Sequence, residues 1–277
     1  MTDLNPQGAQ MADESMVRTL AAQIQAIWPQ EAALFRRYAL AGELHILDAG
    51  CGTGEATLKL AELYPRARLL GVDILDPHLE RARQRIGAPT NSGRLASRLS
   101  FENRSVYELG LPDRSFDLTV CRHVLHSIPH ADRAIAELAR VTRRGGQLHL
   151  IPEDYDMLHF PRGTPDARDF WHQVPNRFGQ ATGTGLFVGR HAVGILNRLG
   201  LTDITLDVVV VDTLRVPRET FASIIEAWRD GYAAPCAEVM GWPLAEAEAY
   251  FDKMIADIRD PLGYAVWMVP VVAAKVP

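Results

Sequence analysis

Three glycines at alternate positions, directly behind an apolar strand end and an acid, constrain this chain more than any other feature: His45-Ile-Leu-Asp-Ala-Gly-Cys-Gly-Thr-Gly-Glu55. Ile46 and Leu47 read as the end of a short buried strand. A helical stripe of Ala56, Leu60 and Leu63 begins just beyond Gly54. Strand, glycine bend and helix form the first unit of an open α/β sheet, where ligands bind outside the carboxyl ends of the strands. Glycine lets the backbone bend sharply and approach a neighbour closely.

The spacing bears on the ligand. A dinucleotide fingerprint reads G-x-G-x-x-G and seats a pyrophosphate on a helix N-terminus. Here the pattern is D-x-G-x-G-x-G, and Asp48 would repel a pyrophosphate. It suits a ligand with an ammonium group and no phosphate, such as S-adenosylmethionine (SAM). A tight strand–helix turn without a ligand is the alternative.

The rest of the chain reads as a continuation of that sheet. Leu69 to Asp73 is a second strand, and an acid at its tip can accept hydrogen bonds from both hydroxyls of a ribose. Asp76 with Pro77 reads as the N-cap and first residue of the next helix, which leaves Asp73 for a ligand. Arg81, Arg83 and Arg85, with Arg94 and Arg98 beyond, read as a solvated face rather than an anion patch. Residues 87–93 read as a loop. Leu99 to Asn103, Phe116 to Cys121 and Gln147 to Ile151 are strands three to five, and Gly145-Gly146 is expected to close the helix between the last two. Ser105 and Val106 follow strand three. Arg122, His123 and His126 follow strand four, all on the ligand side. Ile204 to Val211 is strand six, and Tyr264 to Ala274 is the last strand.

Two additions flank this frame. Residues 1–13 read as frayed. A stripe from Val17 to Trp28 predicts a helix ending at Pro29, and a second short helix is expected to stop near Gly42. Residues 1–42 are thus an N-terminal helical lid, 43–216 and 263–277 the α/β domain, and 217–262 a helical cap between the last two strands. Residues 152–186 have no clear period, and a connection that long is usually functional or carries short helices. Its Tyr155, His159, Trp171 and His172, with Trp28 from the lid, are candidates for a substrate pocket.

Composition narrows the class. A length of 277 residues fits one enlarged domain or a domain with a cap, and a net charge of -5 argues against a polyanion binder. The longest basic runs are pairs, Arg36-Arg37 and Arg143-Arg144. No apolar stretch is long enough to span a membrane and the start lacks a secretory pattern, so a cytoplasmic protein is expected. Cys51, Cys121 and Cys236 are far apart and fit neither a zinc site nor a disulfide framework, so no metal is expected.

In this order and spacing, 47–55, Gly71-Val-Asp73, Phe116-Asp-Leu, Val124-Leu-His-Ser-Ile-Pro129 and 137–146 resemble the class I SAM-dependent methyltransferase family. The nearest likeness is to its small-molecule branch, which includes ubiquinone/menaquinone methyltransferases. The resemblance implies a seven-stranded Rossmann-like sheet whose last strand is antiparallel. It implies SAM as cofactor, with S-adenosylhomocysteine (SAH) as product, held by 48–54 (Asp48, Gly50, Cys51, Gly52, Thr53 and Gly54), Asp73, Ile74, Ser105, Val106 and Arg122. Asp48, Gly50 and Gly52 would face the methionine part. Asp73 would hold the ribose. Ile74, Ser105 and Val106 would lie at the adenine, and Arg122 near the methionine carboxylate or the sulfonium. Ser105 stands where many members carry aspartate.

A catalytic base is needed only if the acceptor retains its proton. A histidine in the loop after strand four serves so in some relatives, which makes His126 the first candidate and His123 the second. The expected acceptor is a small molecule, with O, N, S or C as the methylated atom left open and a thiol or phenol plausible. A nucleic acid or membrane partner is not expected, and monomer and homodimer both remain open. A SAM-binding module without catalysis and a nicotinamide dehydrogenase are the alternative functions.

Overall fold

The computed structural model describes residues 5–87 and 95–277; the expected loop at 87–93 and Arg94 lie largely outside the described residues. Eight strands form one sheet in the order β3-β2-β1-β4-β5-β8, with β6 and β7 also paired to β8. The five N-terminal strands, β1 (His45–Ala49), β2 (Arg68–Asp73), β3 (Leu99–Asn103), β4 (Phe116–Arg122) and β5 (Thr142–Ile151), pair in parallel. β8 (Val266–Lys275) runs antiparallel to β5 and β7 (Thr202–Asp212). The two-residue β6 (Leu158–His159) is an addition to the expected seven strands and pairs with β8 beyond the end of β5.

Strand periodicity divides the core. Ile46, Leu118 and Val120 point to one face, where Phe35 and Leu60 cover them. Leu47, Ala49 and Cys121 point to the other, under Ile135, Leu138 and Leu196. The helices on these faces include α3 (Glu55–Leu63), α5 (Ala131–Val141) and α7 (Val188–Arg198). α5 ends four residues before Gly145, which sits at positive φ inside β5 where its register to β4 shifts. The glycine pair therefore makes a strand irregularity and does not cap the helix.

The N-terminal segment differs from the expected two helices. After a short α1 (Gly8–Met11), α2 is one helix from Glu14 to Arg37 that runs through Pro29. A mid-helix proline forfeits one backbone hydrogen bond. Packing on both sides offsets it, with Ala26 and Ile27 before the proline and Ala32 and Phe35 after it all buried. Gln30 adds a second anchor. Its Nε2 donates to the Val210 carbonyl at 2.7 Å, and Val210 N donates to its Oε1 at 3.1 Å.

Within the described residues, 5–13 are likewise ordered rather than frayed: Gln7 is buried and its Oε1 accepts from the Tyr232 hydroxyl. Tyr232 belongs to α8 (Arg218–Met240), which pairs with α9 (Leu244–Arg259). α2 packs along α8 as well. Gly231 permits this approach, since a Cβ there would stand 2.8 Å from Ser15 Oγ. Segments some two hundred residues apart thus form one helical layer with a shared apolar core. The connection at 152–186 joins that layer through α6 (Ala167–Thr182).

Candidate active site

The carboxyl ends of β1 to β5 open into a cavity of about 270 Å³, roofed by α2, α6 and α8. A smaller pocket of about 30 Å³ adjoins it at the glycine bend. Gly50, Gly52, Asp73, Ile74, Ser105 and Val106 line the large cavity, while Asp48 and Cys51 line the small one. Arg122 and His123 line both.

The bend is held from β2. Asp73 Oδ2 accepts from Gly52 N at 2.9 Å and Oδ1 from Leu75 N at 3.0 Å. Asp76 is not the helix cap. It lies in the first turn of α4 (Asp76–Gly87), whose first bonds go to the Leu75 carbonyl, and it accepts from Asn103. Asp73 is therefore both bend clamp and candidate ribose acceptor, since a carboxylate has about four lone-pair sites. Gly50 is demanded by protein packing: at φ +74°, its Cβ would stand 2.2 Å from Val124 Cγ2. Thr53 and Gly54 lie outside both pockets. Thr53 is buried with its hydroxyl turned onto Glu55, and Gly54 packs against Ala82 and Phe101. Ser105 Oγ already accepts from Tyr107 N at 3.3 Å.

Asp48 is fully buried and accepts from Thr57 Oγ1 at 2.6 Å. Burial pushes its carboxyl up to about 6, against the opposing pull of the Thr57 bond and the Arg122 charge. Arg122 donates from Nε and Nη2 to Glu31 on α2, both at 2.8 Å.

The other end of the cavity is aromatic. Tyr155 and Trp171 stack with centroids 5.5 Å apart, and Trp228 meets both edge-on. His126 closes on Tyr155 edge-on. Burial lowers the His126 imidazole to about 4, with Glu153 opposing and His123 adding to the shift. His123 pairs its Nδ1 with Glu153 Oε1. Both residues sit in the left-handed region at φ 57°, each just past a strand end. Such backbone costs roughly 1–3 kcal/mol per residue and clusters at functional sites. Among the described residues, His123 Nε2, Glu153 Oε2 and His126 Nδ1 are buried with no partner.

Three expected pocket residues lie elsewhere. Trp28 turns to the far sheet face against Phe35, because its position on α2 is one step round from Ile27. His159 is exposed on β6, and His172 is exposed on the outer face of α6. The described arginines of the face read as solvated are engaged with protein groups, which leaves no anion patch among them. Arg81 pairs with Glu14, Arg85 with Glu55, Arg83 donates to the Phe101 carbonyl and Arg98 to three carbonyls before β2. Glu153, Glu31 and Gln23 are the main additions. Glu153 carried a usable signal, an acid two residues past a strand end on the ligand side.

The sheet order and the site at its carboxyl edge define the Rossmann-like class I methyltransferase fold. Residues 47–150 match the methyltransferase domain family. The chain is 32% identical over 164 residues to trans-aconitate 2-methyltransferase of Deinococcus radiodurans, covering 58% of this chain and 59% of that one. It is 32% identical over 106 residues to demethylmenaquinone methyltransferase of the same organism, covering 38% and 42%. The chain spans between a quarter and three-fifths of the length of the first curated relatives it matches. Among solved structures, Haemonchus contortus phosphoethanolamine N-methyltransferase 2, in complex with S-adenosyl-L-methionine, superposes with TM-score 0.57 at 16% identity, covering 90% of this chain and 53% of that one. The [4+2]-cyclase SpnF superposes with TM-score 0.56 at 19% identity, covering 90% and 81%. Residues 47–150 thus carry a methyltransferase domain, and the chain is similar in sequence and in fold to class I SAM-dependent methyltransferases. None of its described helices is long and apolar enough to cross a membrane.

Proposed function

We propose that this protein transfers a methyl group from SAM to a small, largely apolar acceptor that presents a neutral proton-bearing group, a phenol or enol hydroxyl above all. One observation carries the reading: a single cavity joins the Asp73-clamped glycine bend to an aromatic wall that ends in the His123–Glu153 pair. The residues fit SAM. Asp73 and Val106 suit a nucleoside, and the opposite charges of Asp48 and Arg122 at the small pocket suit an amino-acid zwitterion. SAM supplies a methyl on a sulfonium, ready for in-line displacement; the protein supplies alignment and excludes water. Alignment is worth roughly 7–11 kcal/mol in favourable cases.

His123 is the better base. Its Nδ1–H donates to the Glu153 carboxylate, which leaves Nε2 as the lone-pair nitrogen and balances the charge when Nε2 takes the acceptor's proton. His126, held at about 4, is a weak base and serves as a wall of the pocket. Among the described residues a carboxylate acceptor finds no spare cation at this end, because Arg122 sits at the small pocket by the glycine bend and Arg104 is paired with Glu102. The N-terminal and late helical additions act as lid and cap by closing the aromatic end. Calorimetry with SAM, SAH and NADH, followed by mass detection of SAH formed with a panel of phenols, thiols, amines and carboxylates, tests the reading. Binding of NADH in place of SAM, or SAM binding with no SAH formed from any acceptor, would overturn it.

A further inference from the structure

The small pocket meets α2 directly at Leu20 and Gln23, and through Arg122 it reaches Glu31 on the same helix. Leu20, Gln23, Ile27 and Glu31 follow one another at three- and four-residue steps, so they share the α2 face turned to the strand ends. Gln23 is 6% exposed, lines both pockets, and its amide has no hydrogen-bond partner among the described residues. Glu31 lies one turn beyond Ile27 and is wholly buried.

Glu31 is the hub of a closed network. Its two oxygens take both bonds from Arg122, and Oε1 also accepts from His149 Nε2 at 3.0 Å. A neutral His149 that donates from Nε2 accepts at Nδ1, so the Tyr38 hydroxyl donates there, at 2.7 Å. Phe35 stacks on the same imidazole at 4.1 Å. Burial alone would raise the Glu31 carboxyl; Arg122 and His149 outweigh it and hold it at about 2. α2 and the residue after it thus grip β4 and β5 through one charge, with Arg122 at the rim of the small pocket.

Stability does not account for such a device. A buried ion pair often contributes no more than apolar residues of the same volume would. Its geometry has a second consequence. The Glu31 fork occupies Nε and Nη2 and fixes the guanidinium plane, and a planar, fixed guanidinium is suited to a carboxylate. Arg122 and Asp48 then offer the two ends of a zwitterion their opposite charges, with the unpartnered Gln23 amide alongside.

We infer that Glu31 is a positioning residue for the cofactor: through Arg122 it sets the receptor for the carboxylate of the amino-acid part, which makes α2 a wall of the cofactor site. This rests on the SAM reading above. The probes are SAH and 5'-methylthioadenosine, which has the nucleoside and thioether but no amino-acid part. In calorimetry, Glu31→Gln is expected to weaken SAH at least tenfold and leave 5'-methylthioadenosine within twofold of wild type, with Arg122→Gln giving the same pattern. Glu31→Leu/Arg122→Met removes both charges together, leaves no unpaired buried charge, takes an acceptor only from His149 Nε2, and is expected to show that pattern as well. Retained SAH affinity in the double variant overturns the inference, and so does an equal loss for both ligands. A wild-type protein that binds neither ligand refutes the SAM reading itself, an outcome separable from these.

Discussion

The two ends of the cavity are built in opposite ways. The proposed cofactor end comes from short stretches at successive strand tips, and its shape is set by backbone: a positive-φ bend clamped by one carboxylate. The aromatic end is assembled from the β4 and β5 tips, α6 and α8, and its shape is set by side chains packed edge to face. A backbone cradle tolerates few changes and suits a ligand common to a whole family. A wall of rotatable side chains can be refashioned without touching the bend, which is how one fold serves many acceptors.

Substitutions at six positions break or sharpen that contrast. His123→Ala is expected to lower kcat by about 10²–10⁴ with SAH affinity within twofold of wild type, and Glu153→Gln is expected to follow it in stopped assays across pH. A parallel loss of SAH binding would merge the two ends. Asp73→Ala removes two backbone anchors and the proposed ribose acceptor, so SAH affinity is expected to fall about 100-fold, at roughly 1.5–3 kcal/mol per charged hydrogen bond. An unchanged Kd by calorimetry refutes its ribose role.

Asp48→Asn separates stability from binding. The Asp48 carboxyl rises from an ordinary 3.8 to about 6 on folding, so ionising it penalises the folded state. The penalty is absent below about pH 4, grows through the interval to pH 6 and is complete above it, at roughly 3 kcal/mol. Urea titrations are expected to show Asp48→Asn more stable than wild type at pH 7.5 and equal to it at pH 4, with weaker SAH binding at neutral pH. A stability gain independent of pH would refute the burial account. Gly50→Ala tests how the ends are joined. Its overlap with Val124 predicts a loss of about 2 kcal/mol, and adding Val124→Ala is expected to restore part of the thermal midpoint. No restoration would show that φ strain alone makes the glycine necessary.

The glycine bend and the strand tips beside it were legible because their signals are local. Asp48, the glycines and Asp73 are read from a strand, a bend and the next strand tip, and the sheet architecture follows from the family resemblance they carry. Sequence periodicity handled the sheet and misjudged α2, where packing on both sides of Pro29 overrides a local breaker. It also missed Glu31, although a charge one turn from Ile27 on a buried face was a signal that the residue had a partner. The aromatic wall stayed hidden for a different reason. Trp171 and His172 are adjacent, yet one lines the cavity and the other meets solvent, because the rotation of α6 is set by α8 and α9 and not by its own sequence.

The amide of Gln30 has a consequence of its own. β7 pairs with β8 alone, and Gln30 takes both main-chain groups that Val210 turns away from that partner. An incoming extended polypeptide would have to evict the glutamine before it could add to the ladder there. One surface helix thereby guards the rim of the sheet against aggregation.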